Sequence, residues 1–436
     1  MPLTPATSAR RAGPPARGGG DACPGALRLH TADDGSLARI RLPAGLLTCR
    51  QLDVLAQVSE ELGDGNLDLT SRGNVQLRGL AADDGAELAR RLRDAELLPS
   101  ERHERVRNIV ASPLSGLDGA GHADVRPWVR ELDDRVCANP DTAMLSGRFL
   151  FAVDDGRGDV AALGPDVTLI AAEHGSAVLH LDGDGPGLRI AAADGPRAAV
   201  LAAEEFLDAA GAAGGRVWRV RELPPADALP ARVHGRLARE GIDAQPVEEP
   251  PAHGAPPATG VIHGPDGRCS LSVLAPLGRL SAAQWRLLGV TAARGGPAEA
   301  RVTPWRGIVL PGLPPGAAAA GLDALEQAGF VTGPGSPWQG VGACTGRPGC
   351  AKSLADVRAD AAAAVAGSGS GNPGRLPVYW SGCERRCGHP QGHWVDVLAT
   401  GSGYRVTVRG GPAGGTGTEA AADQTAGAVA AARGTT

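Results

Sequence analysis

The sequence predicts an α+β protein that is built from two related halves. Segments with apolar residues at every second position, typical of half-buried strands, alternate with segments that show helical spacing. The same order of segments occurs on both sides of a Pro-rich stretch at residues 247–257. Six pairs of matching residues are separated by the same 233 positions: Thr48 and Ser281, Thr70 and Thr303, Val75 and Ile308, Leu77 and Leu310, Gly79 and Gly312, and Leu80 and Leu313. This ungapped match indicates an internal duplication.

Each repeated unit is predicted to begin with a helix that leads into two strands. Thr48 and Ser281 are the predicted helix N-caps, because a hydroxyl oxygen can accept hydrogen bonds from the free amides of the first turn. The alternating Leu67/Leu69 and Val75/Leu77 of the first unit indicate strands with one buried face. After each unit comes a longer segment with mixed helix and strand patterns. The predicted order is therefore unit, segment, unit, segment, with a pseudo-two-fold relation between the halves.

Composition and charge limit the classes of function. The chain has 436 residues, more than one ordinary core accommodates, and 42% of them are hydrophobic. Its net charge is −5, and acidic and basic residues are interspersed, which excludes a nucleic-acid partner and a membrane-surface role. No apolar run approaches the roughly 20 residues that span a bilayer. A cytoplasmic enzyme is expected, and in that compartment clustered cysteines bind metal more often than they form disulfides.

Changes in composition divide the chain into seven segments. The ends are rich in Gly, Ala, Pro or Thr and are predicted to be disordered or flexible. The Pro-rich stretch in the middle is predicted to be a linker. The segments are a disordered tail at 1–24, a first half-domain at 25–100, a first α/β domain at 101–246, the linker at 247–257, a second half-domain at 258–332, a cysteine-bearing domain at 333–408 and a flexible tail at 409–436.

Four of the eight cysteines are clustered, as Cys344-x5-Cys350 and Cys383-x3-Cys387. Structural zinc sites usually use pairs that are two to four residues apart, so the five-residue gap disfavours zinc without excluding it. An iron–sulfur cluster needs four thiolates on loops whose amides can approach the sulfur atoms. The glycines beside these cysteines permit such loops. An iron–sulfur cluster is the favoured interpretation, and zinc remains the alternative.

Polar residues rich in arginine recur at four places and form a predicted anion-binding surface. Taken alone, each arginine is most simply a solvated surface charge, but guanidinium groups bind carboxylates in a bidentate manner when several converge. On a strand at 70–76, three of these side chains would share one face. The residues are Arg72, Asn74 and Gln76 in the first group, Arg107 and Asn108 in the second, Arg148 in the third and Arg306 in the fourth.

These motifs resemble those of the sulfite/nitrite reductase superfamily over about residues 27–405. The stretch TSRGNVQ at 70–76 is similar to the first anion-binding strand of the family, and Arg107-Asn108 is similar to the second. The cysteine set is similar to the family's cluster ligands. The resemblance implies a pseudo-two-fold duplication of ferredoxin-like half-domains and cluster/haem domains. It also implies a [4Fe-4S] cluster, which Cys387 would bridge to a sirohaem iron.

Two departures favour a subgroup that hydroxylates a tetrapyrrole over one that reduces an inorganic anion. Glu384-Arg385 stands where the reductases typically carry Pro-Asn. The reductases also use two lysines to bind their anion. Arg148 could replace one of these, whereas the other position corresponds to Leu150. For the subgroup, the resemblance implies hydroxylation of precorrin-3A at C20 by O₂ with γ-lactone formation, in aerobic cobalamin biosynthesis.

The second iron centre is left open between sirohaem and a mononuclear non-haem iron. His389 is a candidate ligand for a non-haem iron and Glu384 a weaker one, although packing, or support of a metal ligand without binding the metal, is the simpler role for His389. The predicted catalytic residues are Arg72, Arg107, Arg148 and His389. The predicted cofactor-binding residues are Arg72, Asn74, Gln76, Arg107, Asn108, Arg306 and Cys387.

The predicted partners are a tetrapyrrole substrate, O₂ and an external electron donor, either a ferredoxin or an NAD(P)H reductase. The donor is external because the chain shows no Gly-rich βαβ fingerprint for a nucleotide. One rival hypothesis is a sirohaem-dependent sulfite or nitrite reductase. The other is a non-enzymatic cluster or zinc protein, which would bind metal but no macrocycle.

Overall fold

The computed structural model describes residues 23–183, 185–214, 217–224, 228–367, 375–390, 392–410 and 417–434. Residues 1–22 of the predicted N-terminal tail lie outside this part of the chain. Within the described residues, no helix is long and apolar enough to cross a membrane.

The secondary structure runs in the same order through both halves. The strands of the first half are β1 His30–Ala32, β2 Gly35–Ile40, β3 Leu46–Thr48, β4 Asn66–Leu69, β5 Val75–Leu80, β6 Ile109–Ala111, β7 Phe151–Asp154, β8 Val167–Ala172, β9 Ser176–Leu181, β10 Gly187–Ala191 and β11 Gln245–Val247. Those of the second half are β12 Gly260–His263, β13 Cys269–Leu274, β14 Arg279–Ser281, β15 Glu299–Val302, β16 Gly307–Leu313, β17 Val341–Ala343, β18 Val378–Ser381, β19 Trp394–Ala399, β20 Tyr404–Arg409 and β21 Thr418–Ala420. The helices are α1 Cys49–Glu61, α2 Gly85–Asp94, α3 Arg126–Ala138, α4 Gly195–Ala212, α5 Leu229–Arg239, α6 Ala282–Ala292, α7 Pro315–Gln327, α8 Val357–Ala366 and α9 Thr425–Arg433.

The two ferredoxin-like units are joined by an exchange of strands. One sheet has the order β1-β2-β5-β4-β14, and the other has the order β12-β13-β16-β15-β3. Each unit therefore gives one short strand to the edge of the other unit's sheet. The apolar faces of both sheets and of α1 and α6 contribute to one continuous core, with fully buried residues such as Leu55 and Trp285. The predicted half-domains are thus not independent bodies, because each completes the other's sheet and core.

Local details confirm the internal duplication. Thr48 and Ser281 both cap their helices through a capping box with a glutamine three residues later. The pairing of β2 with β5 shifts register between Ser36 and Ala38, and that of β13 with β16 shifts at the matching position between Cys269 and Leu271. Such shared irregularities follow from a repeated sequence.

The other two sheets are also related to each other. In the first, β6, β7 and β8 are parallel and β9 and β10 continue antiparallel, with β11 at the edge. In the second, β17, β18 and β19 are parallel, and β20 and β21 continue antiparallel. Helices α3 and α4 cover the first sheet, and α8 and α9 cover the second. The prediction of an α+β fold with pseudo-two-fold halves is confirmed, whereas the exact domain boundaries stay a prediction.

The C-terminal part of the chain differs from the flexible tail expected for residues 409–436. Residues 418–420 form β21 at the edge of the fourth sheet, and α9 packs on that sheet with Val429 in its core. The expectation was wrong here because a low-complexity composition does not by itself indicate disorder. Alanine is a strong helix former, and α9 needs only Val429 as a large apolar side chain to pack on the sheet.

An acidic loop follows β7, at the place in the sheet where the loop with Cys383 follows β18. Asp154, Asp155 and Asp159 are buried there. The Asp154 carboxylate accepts hydrogen bonds from four amides of its own loop, including those of Gly156 and Gly158. Burial raises the pKa of Asp159 to about 7, although Ser112 donates a hydrogen bond to this carboxylate. In the first half, the buried Asp154 carboxylate therefore orders the loop whose counterpart in the second half carries Cys383.

Replacing Asp159 with asparagine is expected to stabilise the protein above pH 7. Between about pH 4 and pH 7 the folded protein keeps the Asp159 proton and the unfolded chain has lost it, so stability falls as pH rises. The charges of Asp154 and Asp155 favour protonation, and that of Arg157 opposes it. Asparagine does not titrate, so the variant lacks this pH-dependent loss of stability. Its free energy of unfolding should exceed that of the wild type by on the order of a few kcal/mol at pH 8, and the difference should shrink toward pH 4. Urea unfolding at pH 4.5, 6 and 8 measures it.

Asp155→Asn serves as the matched control for that experiment. Asp155 is paired with Arg157 at 2.7 Å, so its replacement should lower stability over the same pH range instead of raising it. An Asp159→Asn variant that is destabilised equally at all three pH values would contradict the view that Asp159 keeps its proton in the folded protein up to about pH 7.

Candidate active site

The segment predicted as a polar strand is instead a tight turn between β4 and β5. Gly73 has φ of +65°, its amide donates to the Thr70 carbonyl, and the Asn74 amide donates to Thr70 Oγ1. Arg72 therefore lies on the turn and only Gln76 lies within β5, so the single strand face expected for Arg72, Asn74 and Gln76 is wrong. The left-handed conformation at Gly73 is the physical reason, because it interrupts the strand alternation.

Three of the four polar groups nevertheless converge around one carbonyl group. Arg72 Nη1 donates to Gly147 O at 3.2 Å, and Asn108 Nδ2 donates to the same oxygen at 2.7 Å. Asn74 Nδ2 in turn donates to Asn108 Oδ1 at 3.2 Å, and Asn74 and Asn108 are buried. The sequence-predicted groups at 70–76, at Asn108 and at the loop before Arg148 therefore form one network.

The buried Arg72 guanidinium has charged neighbours of both signs: Arg219 and Arg39 are cations, and Asp166 is an anion. Burial lowers the pKa of Arg72 to about 10, and the charge of Arg219 acts in the same direction, with a smaller effect from Arg39. The Arg72 side chain bonds to a carbonyl, not to a carboxylate. A guanidinium group in such surroundings is stabilised by a bound anion. Arg72 is therefore suited to bind a carboxylate.

Two arginines of this surface were missed from the sequence. Arg39 Nη2 donates to Gln76 Oε1 at 3.0 Å, and Arg41 Nε donates to Arg105 O at 3.1 Å. Both project from the same side of the chain at β2, opposite the core residue Ile40. The alternation Arg-Ile-Arg was the available signal, because residues two apart share a strand face.

Arg107 does not join this surface. It is buried, and its guanidinium binds the Asp133 carboxylate through two hydrogen bonds of 2.7 and 2.6 Å. A third bond, of 3.1 Å, goes to the Leu97 carbonyl. The predicted roles of Arg107 in catalysis and cofactor binding are therefore not supported, because its donors are already engaged in an internal ion pair.

Arg148 and Trp218 stand at the edge of a large pocket. The Arg148 guanidinium lies 4.9 Å from the centre of the Trp218 ring, a cation–π contact. The adjacent pocket has a volume of about 700 Å³ and is lined by Trp218, Ser146 and Arg105, among others. This size is within the range of small-molecule sites. The Arg148 loop thus connects the carbonyl bound by Arg72 to a space that could receive part of a ligand.

The four clustered cysteines occupy the loops that follow β17 and β18. Cys344 directly follows β17, Cys350 lies further along the same loop before α8, and Cys383 and Cys387 lie on the loop after β18. All four are free thiols. Because β17 and β18 are parallel neighbours, their carboxyl ends bring both loops to one edge of the sheet.

The chemistry of this donor set fits an iron–sulfur cluster. Burial raises the pKa of Cys344, with smaller contributions in the same direction from Cys387 and Cys383, so these thiols are neighbours. The Gly382 amide donates to Cys344 Sγ at 3.2 Å, as amides do toward cluster thiolates. Among the described residues, no three His, Cys, Asp or Glu side chains meet at one point to hold a single metal ion.

Arg306 connects the second repeated turn to the cysteine loops. Its φ is +59°, at the position that Gly73 occupies in the first repeat, and this left-handed conformation is unfavourable for arginine. Arg306 Nη2 donates to Gly388 O at 2.9 Å, and Tyr379 Oη donates to Cys387 O at 2.6 Å. Two consecutive carbonyls at Cys387 are thereby held in place.

His389 lies beyond this loop on the surface. Its ring stacks on Trp394 with centroids 5.2 Å apart, and Nδ1 is 2.8 Å from the Pro390 carbonyl. A carbonyl only accepts hydrogen bonds, so Nδ1 carries the proton and Nε2 of the neutral ring is left as a lone-pair donor. The structure is thus compatible with both the packing role and the metal-ligand role.

Comparison with known proteins finds one domain type repeated in this chain. The model of the nitrite/sulfite reductase ferredoxin-like half domain matches residues 30–95 and again residues 262–328. The chain carries this half domain twice. The two matches cover the strand-exchanged units, including both repeated turns.

The relatives share most of the length of the chain. A precorrin-3B synthase from Sinorhizobium sp. is 27% identical over 393 residues, which are 89% of this chain and 83% of the relative. A ferredoxin–nitrite reductase from Synechococcus elongatus is 28% identical over 386 residues, 81% of this chain and 74% of the relative. Both are oxidoreductases, and the prediction that this chain is an oxidoreductase is confirmed.

A solved structure shows the same fold. The NirA protein of Mycobacterium tuberculosis superimposes with a TM-score of 0.70 at 21% identity, and the match covers 90% of this chain and 79% of NirA. Together with the two half-domain matches, this similarity confirms the predicted α+β fold with duplicated ferredoxin-like half-domains.

Proposed function

We propose that this protein is a precorrin-3B synthase, which hydroxylates precorrin-3A at C20 with O₂ and forms a γ-lactone. One oxygen atom of O₂ enters the macrocycle, and the ring-A acetate closes the lactone. Two electrons and two protons reduce the other oxygen atom to water. The similarity to the precorrin-3B synthase along 89% of the chain supports this proposal.

The observation that carries the proposal is that the arginine surface and the cysteine loops are contiguous. The turn with Arg72 packs against the second turn: a Cβ on Gly73 would lie 3.1 Å from Val302 O and 3.8 Å from Pro304 N. The second turn includes Arg306, which bonds to the loop of Cys387. An anionic ligand bound at Arg72 would therefore lie near the metal-binding loops.

The four thiolates would hold a [4Fe-4S] cluster, which supplies single electrons when bound, next to an iron that activates O₂. The chain itself contributes the binding and orientation of the substrate. Precorrin-3A carries many carboxylates, and Arg72 and Arg39 offer guanidinium groups that can form paired hydrogen bonds with them. Each carboxylate bound in this way restrains the rotation of the macrocycle and therefore selects the carbon that faces the iron.

Leu150 favours a macrocycle over an inorganic dianion as the substrate. Leu150 corresponds to the position of the second anion-binding lysine of the reductases. It is buried with Val110, Ala152 and Val160 beside Trp305. An apolar cluster offers no cation to stabilise the charge that develops on a reduced oxyanion. The nitrite reductase relative is nevertheless equally similar in sequence, so sirohaem-dependent reduction of nitrite or sulfite is the second candidate function.

The residue that would hold the second iron centre differs between its two possible forms, sirohaem and a mononuclear non-haem iron. For sirohaem, Cys387 would bridge the cluster to the haem iron. For a non-haem iron, His389 would bind through Nε2, because the Pro390 carbonyl fixes the proton on Nδ1.

An external ferredoxin is the proposed electron donor, in line with the name of the nitrite reductase relative. The cysteine loops present exposed cations at Arg347, Lys352 and Arg385, so the proposed donor is one with an acidic surface. These charges would steer an acidic partner toward the cluster.

A Lys352→Glu, Arg385→Glu double variant is expected to be reduced by ferredoxin about tenfold more slowly at low salt, because two attractive charges become repulsive. Stopped-flow absorbance of the cluster measures the rate. Reduction by dithionite should be unchanged. Arg135→Glu, at an exposed position of α3, is the control. Equal rates for the double variant and the control would place the donor elsewhere.

The deciding experiment is anaerobic purification with iron and sulfide counts and EPR spectra, followed by addition of precorrin-3A and O₂ to the reduced protein. Oxygen-dependent formation of a lactone that is one oxygen atom heavier would establish the synthase. A sirohaem absorbance spectrum with turnover of nitrite or sulfite, and no reaction of precorrin-3A, would establish the reductase. Metal without macrocycle binding would identify a carrier protein.

A further inference from the structure

The first ferredoxin-like unit binds the loop of Cys350 on both sides of the cysteine, in addition to the contacts that the loop makes within its own domain. Arg78 Nη2, on β5, donates to the carbonyl of Gly349 at 2.7 Å. On the other side of the cysteine, the amide of Ala351 donates to the Asp33 carboxylate in the turn between β1 and β2. The peptide groups before and after Cys350 are thus both bound by residues more than 250 positions away.

Arg78 is itself held rigidly. It is 4% exposed, and the Asp34 carboxylate binds it through two hydrogen bonds of 2.8 and 2.7 Å. The fit at the loop is close, because a Cβ on Gly349 would lie 2.5 Å from Asp34 Oδ2 and 3.1 Å from Arg78 Nη2. A bidentate arginine pair fixes direction as well as distance. The Gly349 carbonyl therefore has one position that satisfies the Arg78 donor.

The cysteine domain itself contributes contacts at two of the other cysteines, and Arg306 of the second ferredoxin-like unit adds a third. Tyr379 and Arg306 bind the carbonyls of Cys387 and its neighbour, and a Gly382 amide bonds to Cys344. Within its own loop, the carbonyl of Cys350 accepts a hydrogen bond from the Ser353 amide at 2.9 Å. The position of the Cys350 thiol depends in addition on the contacts across the domains.

We propose that Arg78, with Asp33 and Asp34, is a positioning group for Cys350 as the fourth ligand of the cluster. The inference rests on the proposed cluster. It extends the site to a residue of the strand that also carries Gln76 of the arginine surface. Residues that orient metal ligands typically change metal affinity by 10–100-fold when they are replaced. The iron bound by Cys350 should accordingly be the first to leave when Arg78 is replaced.

The test compares Arg78→Met with Arg107→Met after anaerobic reconstitution. Arg107 is a matched control, because it is also a buried arginine with a bidentate aspartate and one backbone carbonyl. Iron release to a chelator should be at least about tenfold faster in Arg78→Met than in wild type and in the control. Brief exposure to air should convert more of its cluster to a three-iron form, which EPR detects. Arg78→Lys, which keeps a donor, should release iron at an intermediate rate.

Equal rates of iron release in Arg78→Met and Arg107→Met would overturn the proposal. If Arg78→Met does not fold, Asp33→Ala replaces it, since the exposed Asp33 carboxylate accepts a hydrogen bond from the Ala351 amide of this loop. Iron release at the wild-type rate in Asp33→Ala would also overturn it. A wild-type protein that takes up no iron and sulfide would instead refute the proposed cluster, so the two failures are distinguishable.

Discussion

Cys383→Ser is expected to abolish cluster assembly and, with it, all oxygen-dependent activity. Serine is a hard oxygen donor with a high pKa and cannot replace a thiolate as a ligand of an iron–sulfur cluster. Iron and sulfide per chain should fall to near zero, and the EPR signal of the reduced protein should disappear. Anaerobic reconstitution followed by chemical analysis measures both quantities.

Cys49→Ser is the control for this substitution. Cys49 is a free thiol in α1 whose Sγ donates to the Gly289 carbonyl at 3.4 Å, and a serine hydroxyl can make the same bond. The control should keep full cluster content. A Cys383→Ser protein that retains the cluster and the activity of the wild type would refute the ligand assignment.

Arg72→Ala is expected to weaken binding of the macrocycle while the cluster spectrum stays intact. The loss of a charged hydrogen bond costs about 1.5–3 kcal/mol, so Kd should rise by about 10–150-fold. Arg72 contacts the loop of Arg148 and not the cysteine loops, which is why the spectrum should not change. Fluorescence titration with a stable polycarboxylate porphyrin measures the affinity.

The pH dependence gives a second measure of the same site. Burial lowers the pKa of Arg72 to about 10, so the guanidinium is charged at neutral pH and loses its charge earlier than an exposed arginine. Binding should therefore hold up to about pH 9 and weaken above pH 10 in the wild type. Arg91→Ala, on α2 with Glu87 and Glu61 as partners, should leave affinity and spectrum unchanged. Equal affinity of the Arg72 and Arg91 variants for the porphyrin would show that Arg72 does not bind the macrocycle.

Two adjacent residues of the predicted site face different parts of the structure. Arg107 and Asn108 were predicted as one anion-binding pair, yet only Asn108 faces the network at Gly147. Arg107 points toward α3 and binds Asp133. Successive side chains of an extended segment project to opposite sides, and the sequence does not say which side meets the ligand.

Arg78 illustrates the same limit for a distant contact. Its strand was predicted, and its polar alternation with Gln76 was visible. Its proposed role depends on the hydrogen bond to Gly349, which is 271 positions away. No pattern among neighbouring residues predicts a contact over such a distance in the sequence. The exchange of β3 and β14 between the two sheets was hidden for a similar reason. Each short strand is as compatible with its own unit as with the related one, and only closure of the shared core selects between them.

The sequence by itself determined the α+β class, the duplication, the two helix caps and the four-cysteine motif. These features depend on local periodicity, capping chemistry and spacing, which are properties of neighbouring residues. Only the tertiary structure decided which arginines face one another, which of them are already paired, and which unit supports Cys350. Those outcomes depend on burial and on the competition among distant partners for each guanidinium group, and such energies exist only once the chain has folded.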